Sequence, residues 1–359
     1  MTALLVSIFF LYLLYLLWEA HTARVARKKL AHVVHVNGTR GKSTVSRLIE
    51  AGLRAGGLRV FCKTTGTDPL TIDVNGREEP IRRRGKANIK EQIAILRRAA
   101  AQDAQVLVVE CMAITPEFQQ ASQRDILRAD IGVITNVRRD HTDVMGDTLP
   151  QIAEALCHTV PQGGVLLTAE TVMAERLKTA AEKNGSSFVC AEVRGDEGTL
   201  DFPENVALAL AVCEELGVPR ETAFAGMQRF SRDPYALSLY RLGKAAFIGG
   251  LSINDIQSIC MVWEKLCAEH GWQEKRLTLL INNRGDRASR TEDMLRVCTA
   301  LHPAEVWLMG ASRGYMKRGL KRKLPEVAVR ELAGAAAASG GEADPAPCRC
   351  KFGYEGGPA

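Results

Sequence analysis

The residues best suited to chemistry stand in one short run, Asn37-Gly38-Thr39-Arg40-Gly41-Lys42-Ser43-Thr44. An apolar stretch, Val33–Val36, precedes the run, and a helical pattern follows it. A strand that enters a glycine loop and then a helix offers phosphate a set of backbone N–H groups and a positive helix end. Lys42 is placed to reach β- and γ-phosphates, and a hydroxyl of Ser43 or Thr44 to hold Mg²⁺. The general phosphate-loop formula puts its first glycine at the position of Val36; here Gly38 is the first, so the loop is a variant. An ordinary strand-to-helix turn is the plainer alternative.

Four other groups stand at strand ends, where open α/β sheets bind ligands. Asp140, His141 and Asp143 lie in NVRRDHTDVMG, Asn136 to Gly146, and supply oxygen and imidazole donors. Glu110 ends the apolar run VLVVE and faces a metal in one reading, a turn in the other. Further on, Arg284, Arg287 and Arg290 recur every third residue in INNRGDRASRT. Arginine suits bidentate binding of carboxylate or phosphate, and a solvated basic face is the bland alternative. Ser252-Ile253-Asn254-Asp255 also follows a strand and leads into a helix.

Positioning these groups requires alternating strands and helices. Strands are expected at His32–Val36, Arg59–Lys63, Gln105–Cys111, Ile131–Val137, Gly164–Thr168 and Ser187–Val193. Helices are expected at Lys42–Ala55, Asn88–Ala101, Pro116–Arg128, Leu149–Thr159, Thr171–Lys183, Pro203–Leu216 and Arg220–Phe230. Apolar strands between helices imply a mostly parallel sheet covered on both faces. A smaller α/β block follows, with strands at Ala245–Leu251, Arg276–Asn282 and Glu305–Gly310. Its helices are expected at Asp255–His270, Ser289–Leu301 and Ala311–Leu320. The polar turn Ser231-Arg232-Asp233-Pro234 marks the boundary, so the central domain is expected over 21–233 and the second over 234–331. The stretch 332–359, rich in Ala, Gly and Pro, reads as a linker or disorder.

The first 18 residues contain only Thr2 and Ser7 outside the apolar set, and no charge. Arg24, Arg27, Lys28 and Lys29 follow, an order reversed from that of a secretory signal. Residues 1–20 are therefore expected to be a single-pass transmembrane anchor in the cell membrane, with the body cytoplasmic by the positive-inside rule. Tyr12, Tyr15 and Trp18 share one side of it. Ten scattered cysteines without zinc-site spacing fit a reducing compartment. The composition of the whole chain, 25% charged with a net charge of +6, is that of an ordinary globular chain. It excludes a wholly disordered or polytopic membrane protein.

Taken together, these motifs resemble the Mur ligase superfamily, and within it the ligase subunit of poly-γ-glutamate synthase. The resemblance rests on the anchor, NGTRGKST (37–44), KTTGTD (63–68), ANIKEQ (87–92), VVECMAI (108–114), DHTDVMG (140–146), PENVALAL (203–210), NDIQS (254–258) and NRGDRASRT (283–291). It implies a P-loop α/β central domain, a smaller α/β C-terminal domain and an ATP-dependent amide ligation through an acyl phosphate. Asn37 to Thr44 would cradle ATP, with Lys42, Glu110 and His141 catalytic. Ser43, Glu110 and His141 would hold Mg²⁺. Asn88 would lie near the metal–phosphate site, Asn205 at the adenine, and Asp255 would reach ATP from the second domain. Arg284 and Arg287 would bind a glutamate carboxylate. The implied partners are glutamate, the growing poly-γ-glutamate, the membrane and small membrane subunits of a synthase or export complex. Self-association as a homo-oligomer is left open.

Three places depart from the family's pattern. The helix after the Asp-His motif reads IAEALCHTV, with Leu156 near the place of a carbamylated lysine, so a carbamate-bridged second metal is not expected. Ser238 stands where an arginine usually follows the Asp-Pro turn, with Arg241 nearby. The chain ends at KFGYEGGPA where the family continues into a last helix, which reads as a second domain cut short. A folylpolyglutamate-synthetase-like ligase and a non-catalytic ATP-binding assembly or regulatory subunit are the competing readings. Nucleic acid is not expected as a partner, since Arg82-Arg83-Arg84 and Lys86 carry no accompanying recognition motif.

Overall fold

A computed structural model of the chain describes residues 2–66, 69–83, 85, 87–195, 202–231, 237–242, 245–250, 253, 256–283, 288–332 and 349–354. The chain divides into two compact units, Met1–Arg232 and Asp233–Ala359.

The first unit begins with helix α1 (Thr2–Lys29), long and apolar enough to cross a bilayer. Its apolar half is exposed, with Leu4, Phe9 and Leu11 each more than 60% accessible. Its second half docks on the body: Ala26 and Leu30 are buried among Ile95, Leu96 and Ala99.

The eight strands of the unit are β1 (His32–Asn37), β2 (Val60–Thr64), β3 (Leu70–Ile72), β4 (Glu78–Pro80), β5 (Val106–Glu110), β6 (Ile131–Ile134), β7 (Val165–Thr168) and β8 (Ser187–Cys190). They form one sheet in the order β4-β3-β2-β5-β1-β6-β7-β8. All neighbours from β2 to β8 are parallel, while β3 and β4 add an antiparallel edge. The chain moves outward from β1 in both directions, so the crevice at the carboxyl end of β1 lies between β5 and β6. The register sets Val36 level with Glu110 and Asn37 level with Ile134.

Helices cover both faces: α2 (Lys42–Ala55), α3 (Glu91–Ala101), α4 (Pro116–Ala121), α5 (Thr142–Met145), α6 (Leu149–Cys157), α7 (Ala174–Lys183), α8 (Pro203–Glu215) and α9 (Arg220–Met227). On one face Val45, Leu48, Ile49 and Leu53 of α2 meet Val34, Val36, Val108 and Val133 of the sheet and Val206 and Leu210 of α8. Burying each such side chain stabilises the fold by roughly 1.5–3 kcal/mol. The helix expected over Pro116–Arg128 continues from α4 as a π-helical turn, Ser122–Leu127, closed by Arg128 in the left-handed region (φ 47). The wide turn lets the Gln123 side chain bridge His35 Nδ1 (2.8 Å) and the Ala129 carbonyl (3.0 Å).

The second unit holds β9 (Ser238–Leu242), β10 (Ala245–Gly249), α10 (Ile256–His270), β11 (Leu277–Asn283), α11 (Ala288–Leu301), β12 (Glu305–Gly310), α12 (Arg313–Lys323), β13 (Ala328–Glu331) and β14 (Arg349–Tyr354). Its sheet runs β13-β12-β11-β14-β10-β9, with β11, β12 and β13 parallel and the rest antiparallel. Within 332–359, expected to be linker or disorder, residues Arg349–Tyr354 form the strand β14. Alternating residues in RCKFGY give that segment a strand pattern, and it pairs between β10 and β11.

His35 is fully buried, and burial with the nearby Lys63 charge pulls its imidazole down to about 4 despite the bond to Gln123. Its ordinary value, expected once unfolded, is 6.5. The unfolded chain therefore takes up the proton first, and stability falls as pH drops from 6.5 toward 4, by up to about 3 kcal/mol. Denaturant titrations of wild type and His35→Gln from pH 7 to pH 4 check this. The wild-type decline should be shallower in the variant by that amount.

Candidate functional site

The phosphate loop leaves β1 at Asn37 and enters α2 through Gly41, which sits at φ 77 as the helix cap. Two glycines set its path. Gly38 (φ 126) lies so close to the Thr135 backbone that an added Cβ would sit 2.8 Å from its nitrogen. A Cβ on Gly41 would lie 2.8 Å from Asn205 Oδ1, which places the start of α8 directly against the loop. The first-turn amides of Lys42, Ser43 and Thr44 have no carbonyl a turn earlier to bond, as at any helix start. The Lys42 side chain folds back over the loop, its Nζ donating to the carbonyls of Gly38 (2.7 Å) and Thr39 (3.4 Å).

A second strand end holds the loop in shape. Thr39 donates its N–H to the Asn136 carbonyl (3.1 Å) and its hydroxyl to Asn136 Oδ1 (2.7 Å). The same Oδ1 accepts the Arg40 N–H (3.1 Å), while Asn136 Nδ2 and the Thr135 hydroxyl both donate to the Arg40 carbonyl (3.1 and 2.6 Å). The sequence alone assigns Asn136 no role; its place four residues before Asp140, just after a strand, is the signal for this clamp. Beyond it, Asp140 pairs with Arg40 (3.4 Å) and lies 3.7 Å from His141 Nε2. His141 starts α5 from the left-handed region (φ 48).

Glu110 supplies the site's central carboxylate. It is only 3% exposed, and its Oε2 accepts the Ser43 hydroxyl (2.8 Å) and the Thr65 N–H (2.6 Å). A hydroxyl and a carboxylate at this separation make a hard-oxygen donor pair, the kind that suits Mg²⁺. Among the described residues no cluster of three His, Cys, Asp or Glu side chains forms a cation site.

The structure thus brings Gly38, Thr39, Arg40, Gly41, Lys42, Ser43, Glu110 and Asn205 to one sheet end. Asn37 turns elsewhere: its side chain is 2% exposed and donates to Gln119 Oε1 (2.8 Å) and Thr159 Oγ1 (3.1 Å), so it braces α4 and the end of α6. In this arrangement its side chain serves as a brace between β1 and those helices. Asn88 is exposed in the turn before α3, its Oδ1 accepting the Lys90 N–H (2.9 Å). Asp255, Arg284 and Arg287 lie outside the described residues, as do Ser252, Asn254 and the turn Arg232-Asp233-Pro234.

Sequence reading also passed over Lys63 as a functional side chain. At the end of β2 its fully buried ammonium pairs with Glu91 (3.1 Å), which Arg83 also grips through Nε (2.7 Å) and a terminal nitrogen (3.1 Å). Burial pulls the Lys63 ammonium below the usual lysine value. Burial alone would raise Glu91, yet Arg83 and Lys63 together hold it below the usual carboxylate value.

Comparison with known proteins places this geometry in a family. Residues 36–199 match the Mur ligase middle domain, and residues 236–341 match the poly-gamma-glutamate synthase CapB C-terminal domain. The chain is 38% identical over 286 residues to the capsule biosynthesis protein CapB of Bacillus anthracis, a match that takes in 76% of this chain and 61% of that protein. It is 36% identical over 315 residues to the PGA synthase CapB of Bacillus subtilis, covering 83% and 80%. Solved folylpolyglutamate synthases share the fold. E. coli FolC in complex with ADP superposes with a TM-score of 0.65 at 14% identity, covering 88% of this chain and 84% of that one. A bifunctional folylpolyglutamate/dihydrofolate synthase with Mn, AMPPNP and L-glutamate bound gives 0.62 at 16% identity, with the same coverage.

Gly38→Ala forces a side chain into a positive-φ position against Thr135, a strain of roughly 1–3 kcal/mol. Titration with a fluorescent ATP analogue should show affinity weakened about 10- to 100-fold. Unchanged affinity would mean that the loop does not hold the phosphates.

Proposed function

The chain belongs to the CapB family of poly-γ-glutamate synthases, built on the Mur ligase fold, and on that premise we propose that it is an ATP-dependent amide ligase polymerising glutamate through γ-linkages. The observation that carries the proposal is the phosphate loop with the hydrogen-bonded Ser43 and buried Glu110 beside it. In the proposed reaction a γ-carboxylate oxygen attacks the γ-phosphorus of ATP and ADP leaves. The α-amine of the next glutamate then attacks the acyl carbon, phosphate leaves with that oxygen, and an amide forms.

Each residue has a part suited to its place. The first-turn amides of α2 and the Lys42 ammonium stabilise the charge that shifts onto the β–γ bridge. Lys42 must exchange the neutral Gly38 and Thr39 carbonyls for phosphate oxygens, which replaces its two bonds to neutral acceptors with bonds to anionic ones. Mg²⁺, held by Ser43 and Glu110 with His141 as the third ligand the resemblance implies, would neutralise the phosphate oxygens. Asn205, packed on Gly41, borders the nucleotide where the adenine is expected. Asn136 keeps Thr39 and Arg40 fixed while these contacts change. Arg284 and Arg287 remain the proposed carboxylate binders, and Asp255 the proposed ATP contact from the second unit. The exposed apolar half of α1 supports a single-pass membrane anchor with small membrane subunits as partners.

Membranes carrying the chain, incubated with labelled glutamate, ATP and Mg²⁺, should release ADP in a glutamate-dependent way and accumulate labelled polymer. Lys42→Ala should lower that rate by at least about 100-fold. ATP binding without glutamate-dependent turnover, with partner subunits present, would favour the non-catalytic assembly reading.

A further inference from the structure

Past Trp18, α1 turns two chemically different faces outward. One is fastened to the body. Lys90 Nζ donates to Glu19 Oε2 (2.9 Å), the Arg97 guanidinium lies 5.0 Å over the Trp18 ring and also donates to the Thr22 hydroxyl, and Ala23 and Ala26 are buried. Arg27 closes this seam. It pairs with Asp130 and donates to the carbonyls of Arg128 (3.1 Å) and Leu30 (3.1 Å), which fixes the left-handed Arg128 corner against the helix.

The other face carries His21, Arg24, Val25 and Lys28, spaced as one helical stripe. With Arg27, Ile126 and Arg128 it lines a cavity of about 500 Å³. No carboxylate lines this cavity, and His21, Arg24, Lys28 and Arg128 have no ion-pair partner among the described residues. This much like charge on a pinned helix and corner, with no carboxylate beside it, makes the exposed surface attractive to an anion.

The position along α1 selects the anion. Trp18 ends the apolar run, and at 1.5 Å per residue Arg24 lies about 9 Å and Lys28 about 15 Å beyond it. Side chains on a helix tilt toward its N-terminus, here back toward the apolar half. The charged end of Arg24 therefore reaches the headgroup layer, about 5–7 Å deep beyond the hydrocarbon, and Lys28 borders that layer from the side of the body. Val25 and Ile126 offer apolar contact beside the cations. We propose that the cavity formed by His21, Arg24, Lys28 and Arg128 at the base of α1 binds the phosphate headgroup of one anionic phospholipid. The inference rests on reading α1 as a membrane anchor. Bound there, the lipid ties α1 to the Arg128 corner and sets the orientation of the sheet unit against the bilayer.

The test uses the full chain in neutral detergent, with bound lipid counted by native mass spectrometry during titration with phosphatidylglycerol, phosphatidylcholine or inorganic phosphate. One phosphatidylglycerol should be retained per chain, and phosphatidylcholine should not. In the triple variant Arg24→Gln/Lys28→Gln/Arg128→Gln the affinity should fall roughly 100-fold, about fivefold per lost charge. The variant should keep wild-type ATP affinity, which shows that it is folded. Equal retention of phosphatidylcholine, wild-type lipid affinity in the variant, or displacement of the lipid by inorganic phosphate at equal concentration would overturn the proposal. Alkaline carbonate extraction of membranes tests the anchor separately. Release of the chain there sinks the anchor reading, whatever the lipid count.

Discussion

A carboxylate buried at a strand end has to find its hydrogen bonds in neighbouring elements, and Glu110 is that carboxylate here. An unpaired charge at 3% exposure would cost several kcal/mol, so β5 can end where it does only if other groups converge on it. The Ser43 hydroxyl arrives from the first turn of α2, and the Thr65 amide from the segment after β2. Three chain segments far apart in sequence are thereby drawn to one point. The central position of β1 between β5 and β6 makes the convergence possible, because it sets the loop after β1 beside both neighbouring strand ends. The oxygens that stabilise the apo fold are also those suited to a hard divalent cation. Binding one exchanges protein donors for metal charge at little structural cost.

A second constraint acts on the backbone of the loop. Two positive-φ glycines press it against Thr135 on one side and Asn205 on the other, and Asn136 fastens Thr39 and Arg40 from the end of β6. This clamp is preorganised: the amides are aimed before any phosphate arrives, and that is how such sites stabilise charge without reorganising during the reaction. Beneath it, on the opposite face of the sheet, lies a polar layer of buried His35, Asn37, Lys63, Gln119 and Gln123 with half-buried Glu91. These groups are costly to bury singly, and most of them are paired with one another. Their pairing fixes α3, α4 and the π-helical turn relative to β1 and β2.

Much of this was legible in the amino-acid sequence, for physical reasons that differ by element. The strands β1, β5, β6 and β7 are continuous apolar runs because helices bury both their faces, and such runs stand out between helical periods. Helix α2 begins and ends where expected because a glycine stands at each end, at Gly41 and Gly56. The edge pair β3 and β4 was not legible: each has only three residues, too short for the Leu70-Thr71-Ile72 alternation of β3 to stand out, and β4 is wholly exposed with no apolar residue but its proline. Strand β14 was hidden by the alanine- and glycine-rich stretch before it, which dominates local composition. Asn37 was read as a ligand group because it opens the phosphate loop, yet a strand's alternation turns its side chain to the face opposite Glu110. Lys63 was passed over for a related reason. A lysine in a strand is normally solvated, and only the tertiary arrangement shows that Glu91 and Arg83 permit its burial.

The central claim is that this strand-end site joins a carboxylate to an amine by way of a phosphorylated carboxylate. It is tested most directly by supplying glutamate labelled with ¹⁸O in its carboxylates, together with ATP and Mg²⁺, and analysing the released phosphate by mass spectrometry. The account predicts one labelled oxygen in each phosphate released per amide bond formed, because the attacking carboxylate oxygen leaves with the phosphoryl group. Amide formation with unlabelled phosphate would contradict it.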